Sequence, residues 1–255
     1  MRKMVLGAGW KMHKNTLSEV SDFVDVVSSS EHLTSIETFL LPSFVFLPLM
    51  QELLMDSPIK WGAQTMAFVD YGAYTGEVSV TALKEFGCRY VEIGHAERRE
   101  HFNETNHIVN LKTKLALEHG MAPVLCIGET KQEKEQQIGD DVIKEQVQWA
   151  CKDVNKEDVA RIIFAYEPVW AIGQQEGADE AYVQKQHRLI RNEITRLYDK
   201  ETAEQTRIIY GGSVKLDNAN AYVSQPDVDG LFVGRFALDP DNFIGIAKII
   251  SSVIK

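Results

Sequence analysis

Cysteine is scarce in this chain of 255 residues. Cys88, Cys126 and Cys151 are odd in number and form no C-x-x-C pair, which argues against a disulfide framework or a cysteine zinc site. A reducing cytoplasm is the expected home. Positive charge is also short: 27 Lys and Arg face 37 Asp and Glu, and the net charge of -10 repels nucleic acid and anionic membranes. A small anionic substrate responds to local charge and stays allowed. Long apolar runs are missing too. The greasiest segment, TFLLPSFVFLPLM, carries two prolines and falls short of the ~20 residues a spanning helix needs. In the opening MRKMVLGAGWKMHK, Lys11 and His13 interrupt the apolar stretch too early for a signal peptide. The chain contains no HxH or HExxH spacing and no G-x-S-x-G elbow, so no metal and no serine nucleophile are expected.

Short β-rich apolar runs are present in number. They begin at residues 4, 36, 59, 89, 122, 161, 207 and 229: MVLGAG, IETFLL, IKWGAQ, RYVEIG, APVLCIG, RIIFAY, RIIYGG and DGLFVG. Between them lie helix-period segments such as LSEVSDFVDVVSS, ETNHIVNLKTKLALEHG, VIKEQVQWACKD and AYVQKQHRLIRNEITRLY. Continuous rather than alternating apolar strands imply burial on both faces, as in a parallel sheet covered by helices. An apolar content of 44% supports a substantial core. Eight β-then-α units in this length predict a closed (β/α)8 barrel, with an open doubly wound sheet as the alternative. No linker or composition break divides residues 1–255, so one domain is expected.

Chemistry in such a barrel gathers where the strands end. The polar residues there are Lys11, Gln64, His95, Glu97, Glu129, Glu167, Gly211 to Ser213, Gly234 and Arg235. Each has an ordinary reading. Lys11 alone reads as a solvated surface lysine, His95 as a satisfied core histidine, and Glu97 with Arg98 and Arg99 as an ion-pair cluster. His95, however, stands where a helix begins, and a helix amino terminus disfavours imidazolium. Glu167 ends an apolar run, where a carboxylate is costly unless paired, hydrated or useful. YGGSV and VGR at adjacent strand ends offer backbone N–H groups that suit a phosphate dianion, although glycine is also the default turn residue. A carboxylate, a neutral imidazole, a lysine and a phosphate nest together suit proton transfer beside a carbonyl.

The ordered segments WKM at 10–12, GAQ at 62–64, GAYTGEVS at 72–79, EIGHAERRE at 92–100, PVLCIGET at 123–130, AYEPVWAIG at 165–173, YGGSV at 210–214 and DGLFVG at 229–234 resemble the triosephosphate isomerase family over essentially the whole chain. The resemblance implies Glu167 as base, His95 as electrophile and Lys11 as stabiliser of enediolate and phosphate, with Glu97 supporting Lys11. It implies phosphate contacts at Gly173, Gly212, Ser213, Gly234 and Arg235 and a lid over residues 168–178. It also implies a phosphorylated sugar substrate, no cofactor, and a homodimer in which the loop at 72–79 enters the partner.

Four departures fall at the site. The family's Asn-Trp-Lys is Gly9-Trp10-Lys11, the Ser after the histidine is Ala96, the lid reads IGQQ, and the Gly-Gly pair after the last strand is Gly234-Arg235. The Gly-Arg pair resembles the L-erythrulose-1-phosphate isomerases, which act in erythritol breakdown and form D-erythrulose 4-phosphate. That substrate is dihydroxyacetone phosphate with one added hydroxymethyl, and the missing side chain at Gly9 is expected to make room for it. The preferred reading is therefore a tetrose-phosphate isomerase. The alternatives are triosephosphate isomerase proper and a phosphate-binding barrel without turnover.

Overall fold

The computed structural model of the protein describes residues 2–254. Each apolar run becomes a strand: β1 Val5–Gly9, β2 Glu37–Leu41, β3 Lys60–Ala63, β4 Tyr90–Ile93, β5 Ala122–Ile127, β6 Ile163–Tyr166, β7 Arg207–Tyr210 and β8 Gly230–Val233. All neighbours pair in parallel, and β8 closes on β1. The closed barrel replaces the open-sheet alternative. The helices outside it are α1 Leu17–Ser28, α2 Leu47–Leu54, α3 Val80–Glu85, α4 Ala96–Phe102, α5 Asn106–Glu118, α6 Lys131–Glu135, α7 Gly139–Cys151, α8 Lys156–Val159, α9 Glu180–Leu197, α10 Lys200–Gln205, α11 Leu216–Val223 and α12 Pro240–Val253.

The two-residue period of the strands divides the core in two. Val5, Phe39, Tyr90, Val124, Ile163, Ile209 and Phe232 point inward and fill the barrel. The alternate positions, such as Leu6, Leu40, Val91, Phe164 and Leu231, pack outward against the helices. Burial on both faces is why the runs are continuously apolar. The helices supply matching stripes: α1 buries Val20, Phe23, Val24 and Val27, and Thr16 caps it in a reciprocal box with Glu19. Such a cap contributes about 1 kcal/mol and fixes where the helix starts.

The greasy segment at 38–50 is broken by its prolines into β2, a 3-10 turn at Phe44–Phe46 and α2, which has proline in its first turn. No helix among the described residues is long and apolar enough to cross a membrane. Cys88, Cys126 and Cys151 are all free and buried.

Candidate active site

A cavity of about 710 Å³ opens at the carboxyl ends of the strands, lined by the loops after β1, β4, β6, β7 and β8. Gly9, Lys11, His95, Glu97, Glu167, Gly173, Ser213, Gly234 and Arg235 all face it. Gly212 does not. It lies one step behind the wall, where a Cβ would meet the Tyr210 hydroxyl at 2.5 Å.

Glu167 follows β6 directly and is 6% exposed. Burial pushes its carboxyl above the ordinary value, more strongly than the nearby Lys11 charge pulls it down. Its Oε2 has no hydrogen-bond partner and lies 3.6 Å from His95 Nε2. The carboxylate has room because residue 211 is glycine, since a Cβ there would stand 2.5 Å from Glu167 Oε1.

His95 caps α4. Its Nδ1 accepts the Glu97 backbone N–H at 3.2 Å, so the ring proton sits on Nε2, on the side of the cavity and Glu167. The ring is thereby fixed as a neutral donor. Gly94 makes the preceding turn at φ +75, and its N–H donates to Glu104 at 2.8 Å. Glu104 also accepts from Arg98 and Lys112, so a buried charge cluster locks the turn that carries His95.

The Lys11 ammonium donates to Glu97 Oε1 at 2.6 Å. Burial pushes Glu97 up, but the hydrogen bond and charge of Lys11 outweigh it and hold the carboxylate below its usual value. Lys11 has φ +50, a strained backbone for a residue with a side chain. Gln64 does not face the cavity. Its amide donates to the carbonyls of Lys11 (2.9 Å) and Leu41 (3.0 Å), and the Ser43 hydroxyl donates a second bond to the Lys11 carbonyl, so these loops hold the strained residue in place.

The loop over residues 168–178 is tethered at both ends. Trp170 donates to Glu129 at 2.7 Å, and Tyr182 and Tyr166 donate to the same carboxylate. Glu129 therefore anchors the start of that loop and takes no place in the cavity. Further along, Ser213 Oγ donates to the carbonyls of Ala171 and Gln174, Lys215 donates to Gln175, and Ala178 N–H donates to the Tyr210 hydroxyl. Among the described residues, the backbone N–H groups of Gly173, Ser213, Gly234 and Arg235 donate to no protein acceptor. Arg235 is absent from the residues with positive φ, so its peptide has the ordinary geometry a nest requires. These donors can bind a dianion, and the short 3-10 turn starting at Arg235 adds its own dipole.

Lining residues such as Glu92, Lys215, Asp239 and Asn242 escaped the sequence reading, and Glu92 is the buried one among these four. Glu92 lies inside the RYVEIG run and faces the cavity from β4. The available signal was its two-residue spacing from Tyr90, which places both inside the barrel. No grouping of three or more His, Cys, Asp or Glu that could hold a metal occurs among the described residues.

Comparison with known proteins agrees with this geometry. The family model described as triosephosphate isomerase matches residues 4–250. A triosephosphate isomerase of Dictyoglomus turgidum is 41% identical over 97% of this chain and 100% of its own length. One from Caldanaerobacter subterraneus subsp. tengcongensis is 40% identical over 98% of this chain and all of its own, and one from Alkaliphilus metalliredigens is 42% identical over 97% and 100%. With full-length identity at this level on a closed barrel, the chain belongs to the triosephosphate isomerase family.

Proposed function

We propose that the chain isomerises a small ketose phosphate through an enediolate. The observation that carries this reading is the pairing of Glu167 with the neutral His95 ring at 3.6 Å in one cavity with Lys11. Glu167 removes the proton α to the carbonyl, and His95 Nε2–H donates to the oxygen that gains charge. Lys11, oriented by Glu97, adds positive charge beside that oxygen. The N–H groups of Gly173, Ser213, Gly234 and Arg235 take the phosphate. The lid excludes water from the enediolate phosphate, which protects it from elimination and strengthens each electrostatic contact.

The relatives are named for the triose reaction, which supports dihydroxyacetone phosphate and glyceraldehyde 3-phosphate as the substrate pair ahead of the tetrose. Membership of an isomerase family also weighs against a barrel without turnover. A specific observation keeps the tetrose as a second reading. Gly9 borders the cavity without a side chain, although the space is shared: a Cβ there would lie 3.2 Å from Phe232 Cζ and 3.7 Å from Glu92 Oε2. Measuring kcat/KM for glyceraldehyde 3-phosphate and L-erythrulose 1-phosphate separates the two. A strong triose preference that Gly9→Asn leaves unaltered refutes the tetrose reading, and turnover of neither substrate refutes the whole proposal.

The chain acts as a homodimer in this reading. Met12 and Val45 are exposed on the two loops that meet at the Lys11 carbonyl, and Tyr71, beside the 72–79 loop, is 89% exposed. An apolar surface beside Lys11 suits the partner's loop. A monomer in sedimentation velocity at micromolar concentration would count against it.

A further inference from the structure

Six carboxyl side chains are buried among the described residues: Glu92, Glu104, Glu129, Glu167, Glu193 and Asp229. Four of them are saturated by strong donors. Glu104 accepts from Lys112, Arg98 and the Gly94 N–H, and Glu129 from Tyr166, Trp170 and Tyr182. Glu193 accepts from Arg196 and Gln148, and Asp229 from Arg191 and the Ile208 N–H. Glu92 and Glu167 are the exceptions, and both line the cavity. A buried carboxyl without donors is costly, so its retention calls for a partner that arrives from outside. Glu167 has one in the substrate's α-proton. Glu92 has only the Cys126 thiol, 3.8 Å from its Oε1.

The position of Glu92 limits what that partner is. It is 7% exposed and lines the cavity beside Cys126, with Phe232 across the hollow at Gly9. Its Oε2 borders the hollow at Gly9. In the closed strand order β4 stands across the barrel from β8, whose end carries Gly234 and Arg235. With phosphate held on the β8 side, Glu92 faces the far end of the substrate.

We propose that Glu92 is a specificity-determining residue whose carboxyl hydrogen-bonds the terminal hydroxyl of a four-carbon ketose phosphate, a group that a triose phosphate lacks. The inference rests on the tetrose reading of the site. Burial, with the nearby Glu167 charge adding and Lys11 opposing, pushes Glu92 up to about 7. Near neutral pH both its protonation states are populated, and a hydroxyl pairs with either because it donates and accepts.

The test uses the full chain with Glu92→Gln, which keeps the shape, and Glu92→Leu, which removes the polar group. Affinities are measured for inorganic phosphate, glycerol 3-phosphate and D-erythritol 4-phosphate, alongside kcat/KM for glyceraldehyde 3-phosphate and L-erythrulose 1-phosphate. The wild type is expected to prefer the four-carbon polyol. Glu92→Leu should lower that preference by about tenfold or more and leave phosphate affinity within about twofold, while Glu92→Gln retains part of it. A four-carbon preference that is absent in the wild type, or unchanged in Glu92→Leu, overturns the proposal. The two failures are distinguishable. Turnover of the tetrose at a ratio indifferent to Glu92 keeps the tetrose reading and sinks the role of Glu92. A Glu92-dependent binding preference in an enzyme that turns over only the triose supports the hydroxyl contact and sinks the tetrose reading.

Discussion

Gly211→Ala is the substitution whose effect is best defined by the geometry. The added methyl would lie 2.5 Å from Glu167 Oε1, 2.7 Å from its Cγ and 3.0 Å from its Cδ. Ordinary contact needs about 3.5 Å, so the carboxylate must retreat by about 1 Å. A misplacement of that size costs on the order of 10²-fold in rate, or about 2.7 kcal/mol of barrier. Gly211 is not among the glycines with positive φ, and its N–H still bonds the Tyr166 carbonyl at 2.9 Å, so the backbone accepts alanine. The stability change should stay within about 1 kcal/mol. The phosphate contacts assigned to Ser213, Gly234 and Arg235 are untouched, so the loss should fall on kcat, with KM and inorganic phosphate affinity nearly unchanged. Steady-state kinetics with glyceraldehyde 3-phosphate and a thermal melt decide the matter. A kcat within about threefold of wild type, in a variant that melts normally, would refute the claim that glycine is needed there to seat the base.

Glu167→Gln should lower turnover by about 10³-fold and also raise stability at pH 8. Burial raises the carboxyl of Glu167 above its ordinary value, so the stability it permits is complete below that ordinary value and is lost as pH rises through the raised one. Thermal melts at pH 4 and pH 8 check this: the gain should be present at pH 8 and fade toward pH 4. For the same reason the acid limb of kcat/KM should lie above the ordinary carboxylate range of 4.5. Glu104→Gln runs the opposite way. Burial pushes Glu104 up, but Lys112, Arg98 and the Gly94 N–H together hold it below its ordinary value. Its stabilisation is present above 4.5 and lost as pH falls through the lower folded value. The variant should lose about 3 kcal/mol in urea melts at pH 7, and the loss should shrink in acid. An equal loss at both pH values would show that the ion pair is not its source.

The eight strands were legible because burial on both faces leaves an uninterrupted apolar run, and Glu167 was legible as a cavity residue because a carboxylate ending such a run is costly. Each of these signals lies within a few consecutive residues. What escaped was tertiary. Gln64 and Glu129 were read as candidates facing the mouth, since their positions at strand ends matched those of His95 and Glu167. Their roles follow instead from groups 23 to 53 residues away: the carbonyls of Lys11 and Leu41 for Gln64, and the donors Tyr166, Trp170 and Tyr182 for Glu129. Glu92 was hidden in the opposite way, because an acid inside an apolar strand carries no local mark of facing a cavity.

Two of the departures from the family pattern, Gly9 and Arg235, stand apart from Glu167 and His95. Gly9 ends β1 beside Lys11, whereas Arg235 approaches the loop over residues 168–178, with its Nη2 4.0 Å from where a Cβ on Gly173 would be. Glu167 and His95, the pair proposed to transfer the proton, keep their 3.6 Å separation. A change in chemistry would disturb that pair, while a change in substrate length would alter what lies beyond each end of it. Gly9 and Arg235 lie beyond the ends, whereas Ala96 follows His95 directly, so it is the first two that bear on which phosphate is bound.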